Sequence, residues 1–301
     1  MMHDDELPID AALVVRLVAE QFPRWTGLPV VPGPSGATVN AIFRIGDRLA
    51  ARLPLRAGDP DAVRAELERE AASLEELAGI LPVPVPGARA IGRPGHGYPL
   101  PWAVHDWLPG ATTTPTALAG STVFADDLAA VISALRSAPT RGRVFSGPGR
   151  GGSLRDHDAW MATCFRESEG LLDVPALRAR WAALRELPVS GPDVMAHRDL
   201  HPGNLLVEGE RLTGVLDAGG FGPADPALDL VVAWHLLDAP ARARLRAALG
   251  SGVLEWARGA AWAFEQAMGL VWYYRESNPV MADLGRTTLG RILADPDIAA
   301  L

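Results

Sequence analysis

The strongest constraint on this chain is a change of hydrophobic period part-way along it. Before residue 108 the apolar residues come in short runs. Ala41-Ile-Phe-Arg-Ile45 and Leu49-Ala-Ala-Arg-Leu53 flank the turn residues Gly46-Asp47, and Trp102-Ala-Val-His-Asp-Trp-Leu108 stops at Pro109-Gly110. Strands repeat every two residues, so two such runs around a glycine-containing turn predict a β-hairpin. Beyond Gly110 the spacing becomes helical, over 121–138, 154–187, 226–238, 240–249, 253–275 and 281–294. A side-chain pattern of one period does not serve the other element. The expected fold is therefore α+β, with a strand-rich lobe over 1–108 and a mainly helical lobe over 109–301. The first lobe also carries helices over 10–21, with Leu13, Leu17 and Val18 on one stripe, and over 61–79, opened by Asp59-Pro60. A capping aspartate followed by proline is a helix start. The second helix aligns Val63, Leu67, Leu74 and Leu77, with Glu70 on the same stripe. Residues 82–101 are rich in proline and glycine and read as loop.

Composition removes several classes of function. A chain of 301 residues can bury a core without disulfide or metal staples. The formal net charge of −8 disfavours a nucleic-acid partner, which needs a basic footprint. All 28 basic residues are arginine. Without lysine there is neither a Schiff base nor a phosphate loop ending in Gly-Lys-Ser/Thr. The one cysteine, Cys164, excludes an internal disulfide and reads as an inert buried thiol. No run approaches about 18 consecutive apolar residues, and the start Met-Met-His-Asp-Asp-Glu has no signal-peptide character. A cytoplasmic protein without a membrane partner is expected; the oligomeric state is left open.

The chemistry concentrates in Ala196-His-Arg-Asp-Leu-His-Pro-Gly-Asn-Leu-Leu-Val207, followed by Leu212-Thr-Gly-Val-Leu-Asp217. Two apolar runs joined by Glu208-Gly-Glu-Arg211 form a hairpin whose open end carries Asn204 on one side and Asp217 on the other. An amide oxygen converging with a carboxylate suits a hard cation such as Mg²⁺. Asp199 lies just upstream, where a second carboxylate can orient a hydroxyl and accept its proton. Metal and base so divided serve phosphoryl transfer. Each of these residue types also favours plain turns. His197-x-Asp199-x-His201 carries the further reading of a transition-metal site, although no other histidine cluster completes it.

His197-Arg-Asp-Leu200, with Asn204 five residues after Asp199, matches the catalytic loop of kinases. The longer string through Leu206 resembles the aminoglycoside phosphotransferase family of small-molecule kinases, which also includes macrolide and choline-type kinases. Asp217-Ala-Gly219 and Asp225-Pro-Ala-Leu-Asp-Leu230 resemble the segments that follow, and weaker matches extend the likeness over most of 33–235. The resemblance implies a two-lobed protein-kinase-like fold and transfer of the γ-phosphate of ATP or GTP to a hydroxyl. Asp199 would be the base and His197 a brace of its loop. Asn204 and Asp217 would hold Mg²⁺. Asp106, Trp107 and Leu108 would be the hinge that reads the purine through backbone groups. Ser35 to Asn40 would cover the phosphates. Arg52 stands where the family carries its phosphate-binding lysine, and Glu70 where it carries that lysine's partner.

Two departures accompany the likeness. Arginine replaces the lysine, with a different reach and a forked geometry. Ala218 and Gly220 are smaller than the aromatic and acidic residues often found there. The implied acceptor is an aminoglycoside-type antibiotic, hence a role in antibiotic resistance. A macrolide, a peptide antibiotic or a primary metabolite are alternatives, and the missing lysine leaves a nucleotide-binding pseudoenzyme as a different class. Glu265, Glu276 and Asp283 are candidates for an acidic acceptor pocket, although Glu265 and Glu276 also read as solvated faces. Trp262, Trp272, Tyr273 and Tyr274 read as helix core, His201 as a loop brace and Asp225 as a helix cap, which the resemblance makes a loop stabiliser too.

Overall fold

The structure, a computed structural model, describes residues 6–33, 39–147 and 149–301. The chain divides into two compact units. A sheet unit comprises Met1–Gly79, Pro84–Pro109 and Asp217–Gly219, and a helical unit comprises Ile80–Val83, Gly110–Leu216 and Gly220–Leu301.

In the sheet unit, α1 (Ala11–Gln21) begins at Asp10, whose carboxylate accepts the Leu13 amide at 2.7 Å. Five antiparallel strands follow: β1 (Val30–Pro32), β2 (Asn40–Ile45), β3 (Leu49–Pro54), β4 (Ala88–Gly92) and β5 (Trp102–Asp106), in the order β1-β2-β3-β5-β4. The buried stripe of α1, Leu13, Val14, Leu17 and Val18, packs with Phe43, Ile45, Leu53, Trp102 and Val104 of the sheet. β4 forms inside the segment read as loop, and Gly92 is why it can lie there. A Cβ at that position would come within 2.3 Å of the Trp102 ring on the neighbouring strand. The second helix, α2 (Pro60–Ala78), buries Leu67, Glu70, Leu74 and Leu77 on one face.

In the helical unit, β6 (Ala111–Thr112) leads to α3 (Thr122–Ser137), capped by the Ser121 hydroxyl on the Phe124 amide. The helix expected over 154–187 is instead a one-turn 3-10 helix (Leu154–His157) running into α4 (Asp158–Glu167), followed by α5 (Val174–Leu184). Gly170, at φ +76°, turns the chain between the last two, and Asp173 with Pro175 restarts the helix. β7 (Val194–Ala196) pairs with β10 (Gly222–Ala224), and β8 (Leu205–Glu208) forms a hairpin with β9 (Arg211–Val215) to which β6 adds. The expected helix over 226–238 is a 3-10 turn (Leu228–Leu230) running into the short α6 (Val231–Leu236). Then come α7 (Ala239–Leu249), α8 (Val253–Tyr273), α9 (Pro279–Leu293) and α10 (Pro296–Ala299). Helix α8 is buried on nearly every side, with α4, α5, α6, α9 and α10 packed around it. No helix among the described residues is long and apolar enough to cross a membrane.

Candidate active site

The β8–β9 hairpin arranges the helical unit's part of the site. Leu205 faces Val215, and the Leu216 amide donates to the Asn204 carbonyl at 2.8 Å. Asn204 therefore lies beside the residue that precedes Asp217. A 3-10 turn, Pro202–Asn204, is held by His201, whose Nδ1 accepts the Gly203 amide at 3.1 Å. The Asn204 amide nitrogen donates to the Asp199 carbonyl at 3.0 Å and to Asp199 Oδ2 at 3.2 Å. Its oxygen accepts from no protein donor among the described residues. Asp199 itself is half-exposed.

The loop before Asp199 is pinned from beneath. His197 is fully buried, and its Nε2–H donates to the Leu216 carbonyl at 3.1 Å. The backbone N–H of His197 and of Arg198 donate to the two oxygens of Asp229, at 2.7 and 2.9 Å. Burial pushes the Asp229 carboxyl above its usual range, a shift opposed by nearby His197 and by these amides. Arg198 takes φ +72°, a left-handed conformation that costs a non-glycine residue about 1 kcal/mol or more. Asp229 carries no role in the sequence reading. The signal for it was an acid between Leu228 and Leu230, since a buried carboxylate needs donors.

Asp225 both caps and cross-links. Its Oδ1 accepts the Ala227 amide at 3.0 Å. Its Oδ2 takes the Arg258 fork and the Trp262 indole N–H at 2.9 Å, all of it buried. Arg150 was also missed: its guanidinium lies 3.4 Å from Asp199 Oδ1.

The sheet unit holds the other residues. Arg52, on β3, pairs closely with Glu70 of α2 through one guanidinium nitrogen and reaches Asp217 Oδ2 at 3.4 Å with the other. Burial, partly offset by Arg52, raises the Glu70 carboxyl above its ordinary range. His105 Nδ1 lies 3.4 Å from Arg52, and burial together with that cation pushes the ring down to about 4, so it is neutral near pH 7. Asp217 adopts φ +62°, and its Oδ1 accepts the Gly219 amide at 3.0 Å. Aspartate tolerates this region better than most residues do.

The segment expected to be the hinge has part of its backbone engaged in the sheet. The Asp106 side chain is gripped by Arg89 at 2.7 and 2.6 Å. The Asp106 amide donates to the Gly87 carbonyl and the Trp107 amide to the Arg48 carbonyl, because sheet pairing continues past the end of β5. Neither amide is open to a purine, which narrows a backbone reading to the carbonyls of the segment and the Leu108 amide. Ser35 falls within 34–38, outside the described residues. Of the acceptor-pocket candidates, Glu265 is not on a solvated face. It is buried on α8 and its Oε1 lies 2.9 Å from His157 Nδ1. Glu276 and Asp283 are exposed, and Asp283 lies 3.4 Å from Arg286. Trp262 is core, whereas Tyr273 is exposed.

The residue types expected to hold Mg²⁺ suit a hard cation. The Asn204 amide oxygen and the Asp217 carboxylate are hard oxygens. Among the described residues no group of three His, Cys, Asp or Glu could cage a metal ion. Mg²⁺ ordinarily binds through one or two carboxylates, waters and substrate phosphates rather than a protein cage.

The model of the phosphotransferase enzyme family, APH, matches residues 30–263. The chain belongs to this family. Its fold is that of the family's solved structures. It superposes on the GDP complex of wild-type aminoglycoside 2'-phosphotransferase-IIIa with a TM-score of 0.70 at 19% identity, over 97% of this chain and 99% of that one. The GDP and kanamycin complex of APH(2")-IIIa gives 0.67 at 18% identity, over 96% and 99%. Apo macrolide 2'-phosphotransferase MphH from Brachybacterium faecium gives 0.61 at 22% identity, over 94% and 98%. No curated protein matches the chain in sequence. Arg52 of this chain is held by Glu70, His105 and Asp217 together.

Proposed function

We propose that this phosphotransferase moves the γ-phosphoryl group of ATP or GTP to a hydroxyl of a small molecule. The observation that carries the reading is the pinned loop. His197 and Asp229 fix the backbone just before Asp199, and Asn204 binds both its carbonyl and its carboxylate. A carboxylate fixed in this way and open to solvent orients a hydroxyl and takes its proton as the oxygen attacks phosphorus. Asn204 and Asp217 would hold Mg²⁺, which when bound neutralises charge on the phosphate oxygens. Arg52, steadied by Glu70, offers a forked cation for phosphate on the sheet unit. The Leu108 amide is the remaining backbone donor for the purine.

Aminoglycoside-type antibiotics are the first acceptor class to test, supported by the likeness to aminoglycoside phosphotransferases. A macrolide is the second reading. Glu265 is occupied by His157, while Trp160 and Tyr273 expose aromatic surface, which favours a less cationic acceptor. The test is phosphorylation of a panel of aminoglycosides and macrolides with ATP and with GTP, by wild type and by Asp199→Asn. A positioned base contributes roughly 10²–10⁴-fold, so the near-isosteric variant should keep nucleotide affinity and lose transfer by that factor. A variant retaining more than about a tenth of the parent rate removes Asp199 from the base role.

A further inference from the structure

Arg150 sits in a glycine-rich loop between α3 and α4, and that loop is built to hold it against the base. Gly149 and Gly151 have φ of +105° and +123°, where a side chain is strained. A Cβ on Gly151 would come within 2.7 Å of Ala224, and one on Gly152 within 2.7 Å of the Phe145 ring. The Gly151 carbonyl accepts the Asp225 amide at 2.7 Å, and the Arg150 carbonyl accepts from the Arg198 guanidinium at 3.3 Å. That guanidinium also lies over the Phe145 ring, 4.9 Å from its centre. Arg198 directly precedes Asp199, so one residue ties the base to the loop that delivers Arg150.

Structural arginines in this protein look different. Arg258 is spent on Asp225 and on the Leu187 and Pro188 carbonyls; Arg291 is spent on the Trp234, His235 and Pro115 carbonyls. Arg150 has five N–H donors. Its side chain keeps one contact, 3.4 Å to Asp199, with its head 33% exposed and its Nε buried without a partner among the described residues. A cation held in place with its donors largely unspent is suited to an incoming anion.

We propose that Arg150 binds the transferred phosphoryl group. The inference rests on the phosphotransfer reading above. In the step, the acceptor oxygen forms a bond to the γ-phosphorus and its proton passes to the Asp199 carboxylate. The bond from that phosphorus to the bridging oxygen breaks, and its electron pair leaves with the nucleoside diphosphate. Arg150 donates N–H to the phosphoryl oxygens throughout. Phosphoryl oxygens are favoured over an anionic group of the acceptor for a geometric reason. Whatever the acceptor, its attacking oxygen lies at Asp199 and the phosphorus is the next atom. An acceptor anion reaches Arg150 only if it stands beside the reacting hydroxyl.

The experiment compares wild type, Arg150→Ala, Arg150→Gln and Arg150→Lys, each first checked for native circular dichroism. Phosphate release from Mg·ATP and Mg·GTP is measured with water as acceptor, then with each acceptor the panel identifies. A second readout is the tightening of ADP binding by aluminium fluoride, a mimic of the phosphoryl group. The Ala and Gln variants should lose about 10²-fold or more in kcat, the scale of a lost charge-stabilising donor. Their nucleotide KM should stay within a few-fold, and the fluoride effect should disappear. Lys should recover part of kcat, and added guanidinium should partly rescue Ala. An unchanged kcat in both neutral variants overturns the proposal, as does a raised acceptor KM with kcat intact, which would assign Arg150 to an acceptor anion. Wild type inert toward both nucleotides and the whole panel would instead refute the phosphotransfer reading itself, and the proposal with it.

Discussion

Asp229 offers the sharpest test of how the loop is held. Its two oxygens each accept one backbone N–H, from His197 at 2.7 Å and from Arg198 at 2.9 Å, in a buried setting. Hydrogen bonds to a charged group contribute about 1.5–3 kcal/mol each, and an orphaned buried donor costs about 1–3 kcal/mol. Asp229→Asn keeps one acceptor oxygen and turns an NH₂ toward the other amide. It therefore loses one bond and faces donor against donor, but it also removes a carboxylate that burial disfavours. The net cost should be about 2 kcal/mol. Asp229→Ala orphans both amides and should cost about 3–5 kcal/mol. Urea unfolding followed by tryptophan fluorescence measures both, and kcat should fall in the same order, because the loop carries Asp199. Two results would refute the reasoning. One is an Ala variant costing less than about 1 kcal/mol. The other is an Asn variant as damaging as the Ala variant, which would mean the two amides are not what Asp229 serves.

Arg258→Met should cost about 3–5 kcal/mol in the same unfolding assay, because it leaves the Asp225 carboxylate buried with its cation removed. Adding Asp225→Asn should recover part of that loss, and strict additivity would show that the pair is uncoupled. His235 is fully buried between Thr288 and Gln266, and burial pushes it down to about 4. The unfolded chain therefore binds the proton first, and stability should climb by up to about 3 kcal/mol as pH rises from about 4 to about 6.5, a climb reduced in His235→Gln. His157 has the opposite sign. Glu265 raises it against the pull of burial, so its contribution is complete below about 6.5 and should be lost as pH rises through its raised value. Urea midpoints at pH 6 and 8 that do not differ between wild type and His157→Gln would contradict this.

Much of the arrangement was legible because local rules and tertiary structure agree in it. The alternation of Ala41–Ile45 and Leu49–Leu53 became β2 and β3, and Glu70 on an apolar stripe did mark a paired carboxylate. What escaped was set by contacts distant in sequence. β4 lies within a proline-rich segment whose pairing with β5 no local period announces. The break in 154–187 turned on Gly170, and the engagement of the Trp107 amide comes from a carbonyl 59 positions earlier in the chain. Glu265 looked like a solvated acid because helical period alone cannot show that α8 is packed on nearly every side. Arg150 and Asp229 look ordinary in sequence and matter only through what folding brings beside them.

Backbone strain falls where the chemistry is expected. Among the described residues four non-glycine residues have positive φ: His96, Arg141, Arg198 and Asp217. Two of the four adjoin or belong to the proposed site. Glycine would relieve the conformation at either position, yet each side chain performs a task that glycine cannot. Arg198 clamps the loop that presents Arg150, and Asp217 meets Arg52 and the Gly219 amide. A lysine concentrates its donors on one nitrogen, whereas the guanidinium spreads them over three. Arg52 uses that spread, with one nitrogen on Glu70 and another on Asp217. In a chain without lysine, the forked cation keeps the helix carboxylate and the hairpin-end carboxylate in contact with a single positive charge. Arg52 is therefore built into its surroundings, with both carboxylates and His105 placed around its guanidinium.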